Sequence, residues 1–468
     1  MSIKKLNKET FEADLSITNG GKEQYGEVHT PMALVRETLD LLPQCVFSDP
    51  NKRWLDSGAG RGNFAIEVYW RLMEGLVTIP LADRHLHIIK NMLVMCEIQE
   101  VHISTLRDIF GKEVQIISTN FLLHNPEQPY DFVIGNPPYN TNGIQKVPAH
   151  SNISKKDDGN SIWFSFIKHA MSIIRPEGYL VYITPLIWMR PGRFNRYDYM
   201  ISHQIDKIKC LSDTNISKRS FNFYGGQTPV CLFSMKKTKV TRPFLLYDRD
   251  IKCYIPYEIE YGDAIPVEGV SLMKYLRGLA IKYGCLTAIK TNMPSKKVRL
   301  SSVQNEDYPY PNIRSCLIAD GYYKNNTDSY DGKLLIEYSN IPLAYNGEPK
   351  IVLAHRRLGL PFIDIEGFYG ISNRDVYVIL GNKPRLEMIR KLLATKLALY
   401  IFRATRYRMK FLEKEAFWFI PDPSNIPGFA DVKDEHDIWR LLSLSEVQIA
   451  AIQNTNTKNY SFNVFEDL

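Results

Sequence analysis

Two consecutive prolines, Pro137-Pro138, follow the apolar run Phe132-Val133-Ile134-Gly135 with only Asn136 between. A proline has a fixed φ and no N–H to give to a sheet ladder, so a strand entering this stretch must end there. The chain is thereby obliged to present Asn136 and Tyr139 at the carboxyl edge of a strand. In an open α/β sheet that is the edge where ligands bind. The Asn136 side chain and a backbone carbonyl stiffened by the prolines form a paired acceptor set for an amino group. Tyr139 adds a flat face on which a ring could stack. A proline-rich turn with a surface tyrosine is the plainer alternative.

The pattern upstream places this strand in a larger sheet. Residues 1–24 are polar and without period, which predicts a flexible arm. In His29-Thr30-Pro31 a hydroxyl cap is followed by proline at the first helical position, which predicts a helix start. Arg53 to Asp56 reads as a short strand running into the turn Ser57-Gly58-Ala59-Gly60-Arg61-Gly62. An amphipathic helix with Phe64, Ile66, Val68, Leu72 and Met73 follows. Such a turn brings backbone N–H groups close to a ligand. Its spacing D-x-G-x-G-x-G is neither the G-x-G-x-x-G of dinucleotide sites nor a P-loop, so phosphates are not the expected guest. Asn91 to Glu97 predicts a second strand, with Pro80 to His87 as a loop before it. The terminal carboxylate of Glu97 is placed to accept from ribose hydroxyls or simply faces solvent. A helix over Ile98 to Phe110 and a strand over Val114 to Asn120 complete this half.

Downstream, residues 140–160 are polar and predict a long irregular loop beside the Asn136 edge. A helix over Ile162 to Ile174 stops at Arg175-Pro176-Glu177-Gly178, and strands follow at Tyr179–Ile183 and Lys207–Leu211. Phe221 to Gln227 leads into Pro229–Met235 as a hairpin with aromatics at its mouth. Strands alternating with helices imply a doubly wound sheet with right-handed crossovers. The alternation ends near Lys236 to Pro243, which divides the chain into 25–240 and 241–468. The second part mixes short strands (Leu334–Tyr338, Lys350–Ala354, Asp375–Leu380) with helices at Arg385–Phe402 and Leu442–Ile452.

Composition bounds what such a chain does. With 468 residues, 44% hydrophobic and 23% charged, it is long enough for two or three ordinary globular domains. No apolar run reaches the length of a membrane span, and Met1-Ser2-Ile3-Lys4-Lys5 opens no signal peptide. The seven cysteines form no C-x-x-C pair, which suits reduced thiols in an intracellular, cytoplasmic protein. No His or Cys cluster has metal-ligand spacing. The formal charge is +7, and roughly +6 of it lies from Lys236 onward, concentrated in Lys282–Arg299 and Lys383–Lys410. That surplus fits either an anionic partner or a solvated face.

Taken in order, these stretches resemble the amino-group DNA methyltransferases of the N6-adenine type, in the arrangement with cofactor motifs first, catalytic motif next and target-recognition domain last. The resemblance runs motif by motif over residues 25–235 and covers the C-terminal half only in style. It implies a mostly parallel seven-stranded Rossmann-like sheet with a C-terminal mixed α+β target-recognition domain. It implies S-adenosylmethionine as cofactor, with Thr30 and Pro31 packing over its methionine part and Asp56, Gly58 and Gly60 holding that part. Glu97 would bind the ribose hydroxyls, and Asn120 and Phe121 would meet the adenine. The family has Asp where this chain has Asn120, so that contact would be uncharged. Asn136, Pro137, Pro138 and Tyr139 form the catalytic motif, with Asn136 also at the cofactor's edge. Tyr139 and Phe221 are the aromatics expected to stack on a flipped base. Arg403, Arg406, Arg408 and Lys410 are the expected DNA contacts. The implied partner is double-stranded DNA, with room for a separately encoded restriction endonuclease; no membrane and no metal are implied.

Other readings share parts of this pattern. Protein-glutamine methyltransferases carry the same motif but resemble compact enzymes without a long C-terminal half. RNA base methyltransferases perform the same chemistry on a single strand. A bifunctional restriction enzyme would need a nuclease centre, and the match Glu348-Pro349-Lys350 has no well-placed partner aspartate, so it reads as chance. A non-catalytic DNA-binding module would not need the intact Asn136–Tyr139 motif.

Overall fold

In the computed structural model, residues 30–140, 161–192, 194–211, 229–259, 262–316, 334–355, 361–408 and 412–455 are described. The chain divides into two compact units, one of Met1–Tyr247 with Tyr254–Gly262, the other of Asp248–Cys253 with Asp263–Leu468.

The first unit opens with α1 (Met32–Leu39), then β1 (Trp54–Asp56), α2 (Asn63–Gly75), α3 (Leu81–His87), β2 (Leu93–Glu97), α4 (Glu100–Phe110), β3 (Gln115–Ser118) and β4 (Tyr130–Gly135). It continues with α5 (Trp163–Ile173), β5 (Ile174–Pro185), α6 (Arg196–Ile201), β6 (Gln204–Leu211), β7 (Val230–Lys236), β8 (Phe244–Asp248) and β9 (Cys253–Tyr257). The strands form one sheet in the order β3-β2-β1-β4-β5-β7-β6-β8-β9. The first five strands run parallel, and β7 lies antiparallel to both β5 and β6. This is the doubly wound arrangement expected, with nine strands instead of seven: β8 and β9 extend the edge. Because they do, the division between units falls near Tyr247 and not at 240.

Several boundaries differ from the sequence reading, each for a local reason. Pro80–His87 is a helix and not a loop; none of its residues is buried, so it has no apolar stripe to betray it. A π turn, Ile88–Met92, joins it to β2. The Arg175–Gly178 stretch is a bulge within β5, where the register jumps from Tyr130↔Ile174 to Phe132↔Tyr179. Helix α1 is capped at Pro31, not Thr30, and no side chain caps it.

The core of this unit is built on the central strands. Trp54 of β1 is stacked between Phe47 at 5.0 Å and Phe132 of β4 at 3.9 Å. Val35, Leu39, Ile66, Val68 and Leu72 pack their helices onto the same cluster. Each such buried side chain contributes about 1.5–3 kcal/mol, so the carboxyl ends of β1 and β4 rise from a rigid base.

The second unit holds α7 (Val270–Tyr283) and two four-stranded sheets. The first sheet is made of β10 (Ile289–Lys290), β14 (Lys350–Ala354), β15 (Phe362–Asp364) and β17 (Val376–Leu380). The second is made of β11 (Leu300–Ser301), β12 (Tyr310–Cys316), β13 (Leu334–Ser339) and β16 (Gly370–Ile371). Helices α8 (Lys383–Leu393), α9 (Lys396–Ala404), α10 (Glu435–Leu441) and α11 (Glu446–Gln453) follow. The helix expected over Arg385–Phe402 is two helices, because the Thr395 side chain accepts from Ala398 N–H and starts a new one. Helix α11 starts at Glu446 on a capping box of Ser445 and Gln448, later than Leu442.

Candidate active site

Strand order reverses at β1 and β4: β2 and β3 lie to one side, β5 to the other. Ligands of doubly wound sheets bind at the carboxyl ends of strands at this switch point. Here those ends carry Asp56 and Asn136, for Asp56 pairs with Ile134 in the ladder and Ser57 N–H donates to the Ile134 carbonyl at 3.1 Å. Tyr182 on β5 donates to the Ser57 hydroxyl at 2.6 Å and so fastens the loop to the neighbouring strand.

The glycine-rich loop is held by its backbone. Ala59 N–H donates to the Cys96 carbonyl at 3.0 Å, and Gly60 N–H to Glu97 Oε2 at 2.7 Å. Gly62 has φ +92, and a Cβ there would lie 2.8 Å from Leu106 Cδ2, so only glycine fits the loop to α4. A Cβ at Gly58 or Gly60 would meet nothing within 4 Å. These two residues therefore leave the backbone open to a guest.

Two carboxylates face this loop. Glu97 Oε1 accepts from the N–H groups of Ile98 and Gln99, both at 2.8 Å, while Oε2 takes the Gly60 bond. Asp56 Oδ1 accepts the Gly58 N–H at 3.3 Å, and its buried Oδ2 has no hydrogen-bond partner. Burial pushes the Asp56 carboxyl up to about 7; the Glu97 carboxylate adds to the rise and the Gly58 N–H opposes it. An unpartnered buried acceptor costs about 1–3 kcal/mol, which a bound donor would recover. Two acids, an open glycine backbone and an orphaned oxygen fit a ligand with cationic and hydroxyl groups. They do not fit a phosphate. Ammonium, sulfonium and ribose hydroxyls of S-adenosylmethionine match that set.

Beyond β4, Pro137 is buried and Asn136, Pro138 and Tyr139 are half-buried. Asn136 Nδ2 donates to the Thr30 hydroxyl at 3.1 Å, and its buried Oδ1 has no partner. Thr30 therefore serves Asn136 and not the helix behind it. Its own carbonyl accepts from Asn63 Nδ2 at 2.7 Å, which ties it to the start of α2. The Tyr139 ring packs on the core with its hydroxyl buried and unpartnered, and burial raises that hydroxyl's pKa. The Tyr139 carbonyl accepts from Ile162 N–H at 3.1 Å, and Asn140 and Ser161 form a β-bridge.

The expected residues Asn120 and Phe121 follow β3. Asn120 is exposed, and its Oδ1 accepts from Leu122 N–H at 3.0 Å, capping the turn Phe121–Leu123. Phe121 is buried and stacks on Phe166 at 5.1 Å. The sequence reading passed over two exposed apolar residues, Ile98 directly after β2 at 62% and Leu123 in the turn after β3 at 71%. For Ile98, its place directly after the strand-end acid Glu97 was the available sign. Phe221 and Lys410 lie outside the described residues.

The C-terminal arginines are not spare cations. Arg408 grips Glu413 through both carboxylate oxygens, at 2.6 and 2.7 Å, and Glu413 is buried. Arg403 lies 3.6 Å from Glu268, which also pairs with Arg249. Arg406 is half-buried between them in sequence. The charge of this segment was legible in the sequence; the buried acids opposite it were not. By contrast Lys296, Lys297 and Arg299 are exposed.

Lys350, of the Glu348-Pro349-Lys350 match, is fully buried. Its ammonium donates to Asp364 at 2.6 Å and to the carbonyls of Tyr345 and Glu348, both at 3.0 Å. Asp364 in turn accepts the N–H groups of Phe368 and Tyr369. A saturated pair of this kind is structural. Among the described residues no group of three or more His, Cys, Asp or Glu could hold a metal ion, and no helix is long and apolar enough to cross a membrane.

The profile of the family described as Eco57I restriction-modification methylase matches residues 81–216. Among solved structures, a putative class I S-adenosylmethionine-dependent methyltransferase from Listeria monocytogenes is 16% identical. That match covers 51% of this chain and 69% of that one, with a TM-score of 0.35. The M protein of the type I restriction enzyme EcoKI is 17% identical, with 48% of each chain covered and a TM-score of 0.35. The type IIG restriction endonuclease BpuSI is 12% identical over 94% of this chain and 62% of its own, with a TM-score of 0.41. The chain thus spans about half the length of the EcoKI subunit it matches.

Proposed function

We propose that this restriction-modification methyltransferase, which carries the Eco57I-type methylase match over residues 81–216, methylates N6 of a flipped adenine at a specific site in duplex DNA. The observation that carries the reading is Asn136 Oδ1: a buried acceptor without a partner, at the switch point, beside the loop that fits the cofactor.

S-adenosylmethionine, when bound, supplies an electrophilic methyl group. The chain's own residues position and polarise the acceptor. Exocyclic N6 is a poor nucleophile because its lone pair is delocalised into the ring. Asn136 Oδ1 and the Pro137 carbonyl accept its two hydrogens, favour sp³ character and aim the lone pair outward. They also stabilise the positive charge that develops on N6. Asp56 receives the cofactor's ammonium, and Glu97, already set by its backbone bonds, the ribose hydroxyls. Ile98 and Leu123 offer apolar contact to the cofactor's adenine, with Asn120 at the rim. Tyr139, and Phe221 on motif order, stack on the flipped base, since a paired base cannot reach such a site. The second unit is proposed as the target-recognition part, with Lys296, Lys297 and Arg299 on phosphates.

Incubation with methyl-labelled S-adenosylmethionine and equal masses of duplex DNA, RNA and protein tests the assignment. The label is expected in duplex DNA; label confined to protein or RNA would overturn it.

A further inference from the structure

We infer that Thr30 is a positioning residue for methyl transfer, anchoring the Asn136 amide at the end of β4. The inference rests on the proposed role of Asn136 in holding the adenine amino group.

An asparagine amide has a donor end and an acceptor end of nearly the same shape. In the proposed reaction only the acceptor end is useful, because an amino group must give its hydrogens. Nothing in the covalent geometry of Asn136-Pro137 selects that end. The Thr30 hydroxyl accepts from Nδ2 at 3.1 Å, which anchors the amide and leaves Oδ1 open to an incoming donor. Thr30 itself is buried at 6% exposure and cannot swing aside. Its carbonyl is held by Asn63 Nδ2 at 2.7 Å, and Asn63 is the first residue of the helix that the glycine-rich loop leads into. The next residue, Pro31, begins α1, whose Leu34 and Val35 N–H groups bond its carbonyl at 2.9 and 3.0 Å. Thr30 is thus pinned from both sides, and it holds the amide that leans on it.

The same contact couples two events. The strap around Thr30 is tied to the loop that would hold the cofactor, so a change in that loop reaches Asn136 through Asn63 and Thr30. Removing the hydroxyl leaves the amide without that anchor, so Oδ1 is no longer held in place for N6. Misplacement of a reacting group on this scale costs about a hundredfold in rate.

The test is the single-turnover rate of methyl transfer into DNA from a host that lacks adenine methylation. It uses the full-length wild type, Thr30→Val and Thr30→Ser, with the dissociation constants of cofactor and DNA measured on each. Thr30→Val keeps the shape and loses the hydroxyl. It is expected to slow transfer about ten- to a hundredfold with both constants little changed, and Thr30→Ser to hold the rate at least about tenfold above it. Transfer by Thr30→Val at the wild-type rate, a Thr30→Ser as slow as Thr30→Val, or a loss that only tracks cofactor affinity would each overturn the inference. A wild type that puts no methyl group on adenine would instead overturn the reading it rests on.

Discussion

Gly60 N–H donates to Glu97 Oε2 at 2.7 Å, so the glycine-rich loop after β1 is fastened to the end of β2 by a side chain. Glu97 sits between architecture and ligand: three backbone donors hold its carboxylate in the place where ribose hydroxyls would meet it. Glu97→Ala leaves those donors without their acceptor. It is expected to destabilise the first unit by about 1–3 kcal/mol and to weaken cofactor binding about tenfold or more. Urea denaturation and isothermal titration check the two effects. Unchanged values of both would show that the loop is held some other way.

Gly58 and Gly62 separate ligand from fold within one loop. Gly62→Ala places a methyl group 2.8 Å from Leu106 at a φ of +92 and should cost about 1–3 kcal/mol of stability. Gly58→Ala meets no protein atom. It should leave stability within about 0.5 kcal/mol while weakening cofactor binding. Equal effects of the two substitutions on stability would contradict this division.

Asp56 gives a pH dependence of known sign. Its carboxyl is pushed from 3.8 up to about 7 by burial, so between those values the folded state keeps a proton that the unfolded chain has lost. The contribution of this group to stability is therefore greatest below about pH 4 and is lost as pH rises through about 7. A bound cation reverses the preference and favours the ionised form. Cofactor affinity should therefore rise between about pH 6 and pH 7.5 with release of a proton, read from titrations in buffers of different ionisation enthalpy. Asp56→Asn should abolish that proton release.

Lys350 and Asp364 are expected to behave as a buried structural pair. Lys350→Met leaves Asp364 buried without its cation and should cost about 3–5 kcal/mol. A variant as stable as the wild type would reopen a catalytic reading of Glu348-Pro349-Lys350.

Lys296, Lys297 and Arg299 should carry the salt dependence that the charge pattern alone places on the later arginines. Replacing all three by alanine should lower the slope of log affinity against log salt by roughly three. Arg408→Ala should instead lower stability, because Glu413 stays behind, buried.

The central strands and the active-site edge are legible in the amino-acid sequence itself, because prolines and glycines act locally and leave few options. Pro137 and Pro138 end β4 whatever surrounds them, and Gly62 closes the turn into α2. Features set by distant partners are not legible in this way. The Thr30 hydroxyl reads as a helix cap because its acceptor role involves Asn136, 106 residues away. The arginines of α9 and the segment after it read as free because Glu268 and Glu413 stand as isolated acids in a string. Helix α3 leaves no mark because it buries nothing. Local stereochemistry is legible in one dimension, whereas pairing of charges and hydroxyls depends on the folded surface.

The most direct measurement is mass spectrometry of nucleosides from the DNA of a host without adenine methylation, expressing either the wild type or Asn136→Ala. The account predicts N6-methyladenine in the first and none in the second, with the variant still binding S-adenosylmethionine. Undiminished N6-methyladenine with Asn136→Ala, or a methyl mark on cytosine in its place, would contradict it.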